Sequence, residues 1–181
     1  QLDIDFESQN EVEYLSYINM IEYKTAVLLG SSLKMGALIN STDNSTSDLL
    51  YKCGVNLGIA FQIQDDYLDL FGDEKIIGKK IGGDVVENKK TILYHLCFAN
   101  ANKSQKLLLN EIYNSSNKNK IHNARKLFAE TKADLESRNL VKKYSELAIS
   151  QINDLEMDSS KKFELEALSK LLLKTKYKLK N

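Results

Sequence analysis

Apolar residues recur at three- and four-residue intervals along almost the whole chain, a period that suits amphipathic helices and little else. Leu15, Ile18, Ile21, Ala26, Leu29, Leu33 and Ala37 set the pattern. They predict a long helix over about residues 11–40 with one buried face. The polar run 40–47 interrupts it and offers Ser and Thr caps. Leu49, Leu50, Cys53, Leu57, Ala60, Phe61 and Leu68 then resume the period, predicting a second helix that ends near Gly72. Further helices are expected over 89–101, 103–114, from 120 through 132 to 154 with a break near Asn139, and 161–178. Strand signals are nearly absent. The chain has no proline, so every break is left to Gly, Asn, Asp and Ser.

With 181 residues, 43% of them hydrophobic, the chain can bury a sizeable core. Its 25 Lys plus Arg balance 25 Asp plus Glu, which removes any general electrostatic reason to expect nucleic acid or an anionic membrane surface as partner. No apolar run approaches the roughly 20 residues of a membrane span, and a cytoplasmic protein is expected. Cys53 and Cys97 lie in apolar-patterned segments without metal-ligand spacing and read as buried, reduced thiols. The Lys-rich tail 170–181 reads as a solvated last helix, and 114–120 as a surface loop. The sequence begins Gln1-Leu2-Asp3 and its first Met is Met20, from which a missing amino-terminal portion is expected.

Chemistry concentrates in Phe61-Gln-Ile-Gln-Asp-Asp-Tyr-Leu-Asp-Leu-Phe-Gly-Asp73. On a helix, Asp65, Asp66 and Asp69 stand at three- and four-residue spacing on one face, with Gln62 one turn earlier. Packed acids repel, and Asp is a poor helix former, so a compensating cation is expected. Oxygen-only ligands with no adjacent His or Cys suit Mg²⁺, which keeps waters and accepts phosphate oxygens. A solvated acidic surface is the plainer alternative, but Ile59, Ala60, Phe61, Ile63, Leu68, Leu70 and Phe71 leave the helix little polar face.

The segment from Gly72 to Gly83 holds four of the chain's eight glycines and reads as an exposed loop that brings backbone close to a ligand. Lys79, Lys80, Lys89 and Lys90 follow the acids closely enough to neutralise a diphosphate. Each lysine alone is more often plain surface than a ligand. Asp84 with Glu87 also has the spacing of a capping box for the next helix. The loop fits neither a Gly-Lys-Ser/Thr nucleotide loop nor a calcium EF-hand.

The run Phe61-Gln-x-x-Asp-Asp-x-x-Asp69, then Gly72-Asp73, Gly78-Lys-Lys-Ile-Gly-Gly-Asp84 and Asn88-Lys-Lys-Thr91, resembles the second aspartate-rich region of the trans-isoprenyl diphosphate synthases. Upstream, Tyr17-x-x-Met-Ile-x-x-Lys24-Thr25-Ala26 resembles the Lys-Thr element of the same family. The texture is most similar to bacterial short-chain farnesyl or geranylgeranyl diphosphate synthases. The resemblance is strongest over residues 1–91.

It implies an all-α antiparallel bundle of the isoprenoid synthase type, of which this chain is the carboxy-terminal portion of a single domain. It further implies Mg²⁺ as cofactor, an allylic diphosphate and isopentenyl diphosphate as substrates, and a homodimer. Position by position, Asp65 becomes the direct metal ligand, with Asp66 and Asp69 orienting the metal or holding it through water. Lys24, Lys80 and Lys89 bind the allylic diphosphate. Thr25 and Gln62 lie close to the reacting carbons, and Lys24, Thr25 and Gln62 are the catalytic residues implied.

Members of the family also carry a first Asp-rich motif followed by paired arginines. Here no such second acidic cluster exists, and the only arginines are Arg125 and Arg138, so one wall of a two-walled site is expected. The alternatives are a non-catalytic partner subunit of a heteromeric prenyltransferase, or a related terpene cyclase that needs no isopentenyl diphosphate.

Overall fold

The computed structural model describes residues 14–40, 42–78, 80–116 and 118–173, and every regular element among them is helical. They are α1 (Tyr14–Ile21), a π-turn (Glu22–Ala26), α2 (Val27–Ile39), α3 (Asn44–Phe71), the short α4 (Glu74–Ile77) and α5 (Gly83–Val86), α6 (Ile92–Asn100), α7 (Lys103–Asn114), α8 (Lys120–Glu130), α9 (Ala133–Asn153) and α10 (Ser159–Leu173). No helix of the described residues is long and apolar enough to cross a membrane. The chain divides into two compact units, whose described residues fall within 14–20 with 63–139, and within 21–62 with 140–173.

In the second unit the π-turn and α2 lie against α3 almost backbone to backbone. A Cβ at Gly54 would stand 2.7 Å from the Cα of Gly30, and one at Gly58 would stand 2.5 Å from the Cα of Ala26. Gly54, Gly58 and Gln62 follow at four-residue steps, so the groove that admits the neighbouring backbone runs along α3 directly to Gln62. Cys53 and Leu57 of α3 pack with Ala148 and Ile152 of α9, and Leu29, Ile149, Leu165 and Leu173 close around them. A neighbouring cluster joins Ala37, Leu50 and Leu155. Each fully buried leucine or isoleucine here contributes about 1.5–3 kcal/mol through removal from water.

The first unit buries Ile63 and Leu70 of α3, Ile92 and Leu93 of α6, Leu109 of α7, and Leu127 and Phe128 of α8. There α8 packs against α5, α6 and α7. The Arg125 side chain donates from Nε to the Leu70 carbonyl at 3.1 Å, and from a second guanidinium nitrogen as well, so a cation caps the carbonyl end of α3.

Several sequence expectations shift for physical reasons. The first helix is not uniformly α. Its apolar pattern takes a five-residue step from Ile21 to Ala26, and the wider π-turn absorbs the extra residue so that both stay buried. The polar run breaks the chain only as far as Asp43, whose Oδ1 accepts the Thr46 N–H at 2.9 Å, so α3 starts earlier than expected and on an Asp rather than a Ser or Thr cap. The expected break near Asn139 is absent, because α9 runs through it. The chain turns instead at Lys132, which adopts a left-handed φ of 61° between α8 and α9. The stretch read as one exposed loop contains α4, capped by Asp73, whose side chain accepts the Lys75 N–H. Residues 1–13 and 174–181, including the start of the first helix and most of the lysine-rich tail, lie outside the described residues.

Both cysteines are buried and free, and burial pushes each thiol from its ordinary 9.0 up to about 11. Thiols of the unfolded chain ionise near 9 while the folded ones stay protonated, so their contribution is complete below pH 9 and is lost as pH rises through about 11. The urea midpoint is therefore expected to fall between pH 9 and 11, and a Cys53→Ala, Cys97→Ala double variant should show a shallower fall. Gly58→Val, which drives a side chain into the Ala26 backbone, is expected to cost at least about 2 kcal/mol by denaturant titration.

Candidate active site

The three acids of α3 occupy different environments. Asp65 is exposed, whereas Asp66 and Asp69 retain only 4% and 5% of their accessible surface. Asp66 Oδ2 accepts a short hydrogen bond from the Tyr17 hydroxyl and a second, at 3.2 Å, from the Ile92 N–H. Ile92 is the first residue of α6, and Thr91 before it supplies no side-chain cap. Asp66 thus does from another helix what an N-cap does locally, and the helix dipole favours its charge.

Asp69 organises the loop. Its carbonyl accepts the Gly82 N–H at 2.5 Å and its Oδ2 accepts the Asp84 N–H at 3.0 Å. Gly82 has φ of 80°, and a Cβ there would stand 2.7 Å from the Ile121 side chain, so glycine is required on both counts. The mutual repulsion expected of the acids is thus answered for Asp66 and Asp69 by protein donors.

The capping box expected of Asp84 and Glu87 does not form. Gly82 takes the cap position of α5, and both acids instead hold Lys89, whose Nζ lies 3.1 Å from Asp84 Oδ1 and 2.7 Å from Glu87 Oε2. The Glu87 and Asp84 hydrogen bonds push the Lys89 pKa up, so it is cationic at any physiological pH. Lys80 is exposed, and Lys79 lies outside the described residues.

In the other unit, the π-turn carries Lys24 and Thr25. Lys24 is exposed, and the half-buried Thr25 hydroxyl donates to Gln62 Oε1 at 3.0 Å. The glycine contact of Gly58 with Ala26 is one residue from Thr25 and one turn from Gln62, and it sets this hydrogen bond. π-turns of this kind recur at functional sites because the extra residue displaces side chains from the regular helical register.

Among the described residues, no group of three or more His, Cys, Asp or Glu side chains converges to enclose a metal ion. The donor set fits a hard cation held from one side, with Asp65 offering carboxylate oxygens to solvent and the remaining ligands coming from water and a bound oxyanion. It does not fit a closed, all-protein cage. Tyr17, Ile92 and the Asp69 contacts to the loop were invisible as site features in the sequence. Tyr17, Asp69, Gly82 and Asp84 stood inside motifs, but nothing in their spacing pointed to these pairings, and Tyr17 lies 49 residues from Asp66.

A family model described as polyprenyl synthetase matches residues 1–131. The chain is 37% identical over 155 residues to the geranylgeranyl diphosphate synthase of Saccharolobus solfataricus, covering 85% of this chain and 47% of that enzyme. Its structure superposes with a TM-score of 0.87 on geranylgeranyl pyrophosphate synthetase from Pyrococcus horikoshii, at 33% identity, covering 95% of this chain and 52% of that one. The same TM-score, at 26% identity, is found with geranylgeranyl pyrophosphate synthase from Corynebacterium glutamicum complexed with isoprenyl diphosphate and magnesium, with 96% and 50% of the two chains covered. The chain therefore belongs to the polyprenyl synthetase family, the trans-isoprenyl diphosphate synthases. It spans about half the length of the relatives it matches.

Asp66 and Asp65 separate structural from chemical roles. Asp66→Ala removes the acceptor of the Tyr17 hydroxyl and of the Ile92 N–H in a buried site, and is expected to cost about 2–4 kcal/mol in a urea titration. Asp65→Ala, at an exposed position, should change stability by no more than about 0.5 kcal/mol.

Proposed function

We propose that this chain supplies the second aspartate-rich wall of a Mg²⁺-dependent trans-prenyltransferase, which joins an allylic diphosphate to isopentenyl diphosphate to give a longer isoprenyl diphosphate. The observation that carries this reading is the division among the acids. Asp65 is exposed, while its buried neighbours Asp66 and Asp69 hold the start of α6 and the Gly82–Asp84 backbone. A purely structural subunit would have no use for the exposed carboxylate, and none of the relatives named above is a cyclase.

In this reading, Asp65 holds Mg²⁺, which when bound supplies positive charge to the diphosphate leaving group. Lys24, Lys80 and Lys89 take up the rest of the diphosphate charge. As the allylic C–O bond breaks, its electron pair leaves with the diphosphate, and these cations stabilise the charge that develops there. The double bond of isopentenyl diphosphate then attacks the allylic cation, and a proton is lost to restore a double bond. The Thr25 hydroxyl and Gln62, fixed to each other at 3.0 Å, present polar atoms to the reacting carbons and orient the proton that departs. Apolar helix faces keep water from the cation. We further propose that the working protein is a homodimer, as the family resemblance implies.

Asp65→Ala, made in the protein as the cell produces it, is expected to reduce incorporation of labelled isopentenyl diphosphate at least about a hundredfold, the scale of losing one transition-state charge contact. Near-normal incorporation would sink the proposal. Diphosphate release that proceeds without isopentenyl diphosphate would mark a cyclase instead.

A further inference from the structure

Among the described residues, Lys120 is a buried cation without a carboxylate partner. It is the first residue of α8 and only 6% exposed. Its Nζ donates to Asn88 Oδ1 at 2.5 Å and to the Tyr113 carbonyl at 3.2 Å, and lies 5.8 Å from the Tyr113 ring centre. None of these partners is a carboxylate. Burial lowers its pKa, and a cation at the amino end of a helix opposes the helix dipole. The placement is therefore unfavourable by itself, and a neutral or apolar residue would serve the core better.

What the ammonium contacts is the segment between α5 and α6. Asn88 holds a left-handed φ of 61° without being glycine, a conformation that Asn tolerates at some cost and that an outside contact can fix. The next residue is braced as well, since the Tyr113 hydroxyl donates to the Lys89 carbonyl at 3.4 Å and the Lys89 N–H donates to the Asp84 carbonyl at 2.9 Å. Lys120 and Tyr113 thus grip two consecutive residues, Asn88 and Lys89. Three residues further on, the same segment delivers the Ile92 N–H to Asp66.

We propose that Lys120 is a positioning residue for the diphosphate site: its bond to Asn88 fixes the backbone turn that aims Lys89 at the allylic diphosphate. This rests on the reading of Lys89 as a diphosphate ligand. Lys120 does not touch the substrate. Its charge is used because a charged donor holds the Asn88 amide oxygen more firmly than a neutral one.

The test is calorimetric titration of the protein as the cell produces it with inorganic pyrophosphate in the presence of Mg²⁺, on wild type, Lys120→Met, Asn88→Gly and the double variant. Glycine accepts the left-handed backbone at position 88 but removes the oxygen that Lys120 holds, so it carries the test if Lys120→Met fails to fold. Each single variant is expected to weaken pyrophosphate binding about tenfold, and the double variant no further, because both act through one bond. The KM for the allylic diphosphate should rise by a similar factor while that for isopentenyl diphosphate stays constant, a split that general loosening of the fold would not produce. Tight binding by wild type with unchanged affinity in both single variants overturns the role of Lys120. No pyrophosphate binding by wild type overturns the reading of Lys89, and this inference with it.

Discussion

A carboxylate turned into the protein holds the first unit together. Asp66 draws a hydrogen from Tyr17 of α1 and another from the start of α6, so one buried charge joins three helices. Burying such a group without donors would cost several kcal/mol. The donors here are a hydroxyl and a helix amino terminus, which favour the ionised form, and they come from segments 49 and 26 residues away in sequence. The loop depends on the same helix end through Asp69, whose main chain and side chain each accept a loop N–H. If Asp66 and Asp69 let go, the Gly82 turn and the start of α6 lose their anchors together.

This arrangement explains how a helix tolerates two adjacent aspartates. Successive residues on an α-helix point about 100° apart, so Asp65 and Asp66 cannot share one environment when the helix is half buried. Asp65 lies on the exposed side and its neighbour is buried. The motif is therefore not a set of equivalent ligands but one exposed carboxylate on a platform built by the other two.

Much of this was legible in the sequence. The three-to-four period gave an all-helical fold and most helix limits, and the apolar setting of Cys53 and Cys97 gave their burial. The motif spacing led to the family. Local steps in the pattern carried more than a uniform period admits: the five-residue stride from Ile21 to Ala26 was already the trace of the π-turn. The helix limits that moved were set by single residues, Asp43 and Lys132, whose cap and left-handed backbone compete with propensity over a whole segment. The pairing of side chains could not be read. Tyr17 with Asp66, and Lys120 with Asn88, meet only because helices far apart in sequence pack together, and neither partner's spacing encodes the other.

The charge pattern around the loop bears on how a diphosphate would be received. Lys89 is already matched by Asp84 and Glu87, so its charge is largely neutralised before any ligand arrives, and the chain as a whole carries no net charge. Long-range attraction of an anion is thus weak. A ligand that displaces Asp84 and Glu87 from Lys89 gains the lysine but frees two carboxylates beside its own negative charge. The exchange becomes favourable only where further cations are within reach. The exposed Lys80 is one, and a divalent ion at the exposed Asp65 would be another. On the proposed reading, a cation beyond Lys89, from Lys80 or from a divalent ion at Asp65, would thus contribute to binding as well as to the chemistry that follows, because Lys89 is pre-paired.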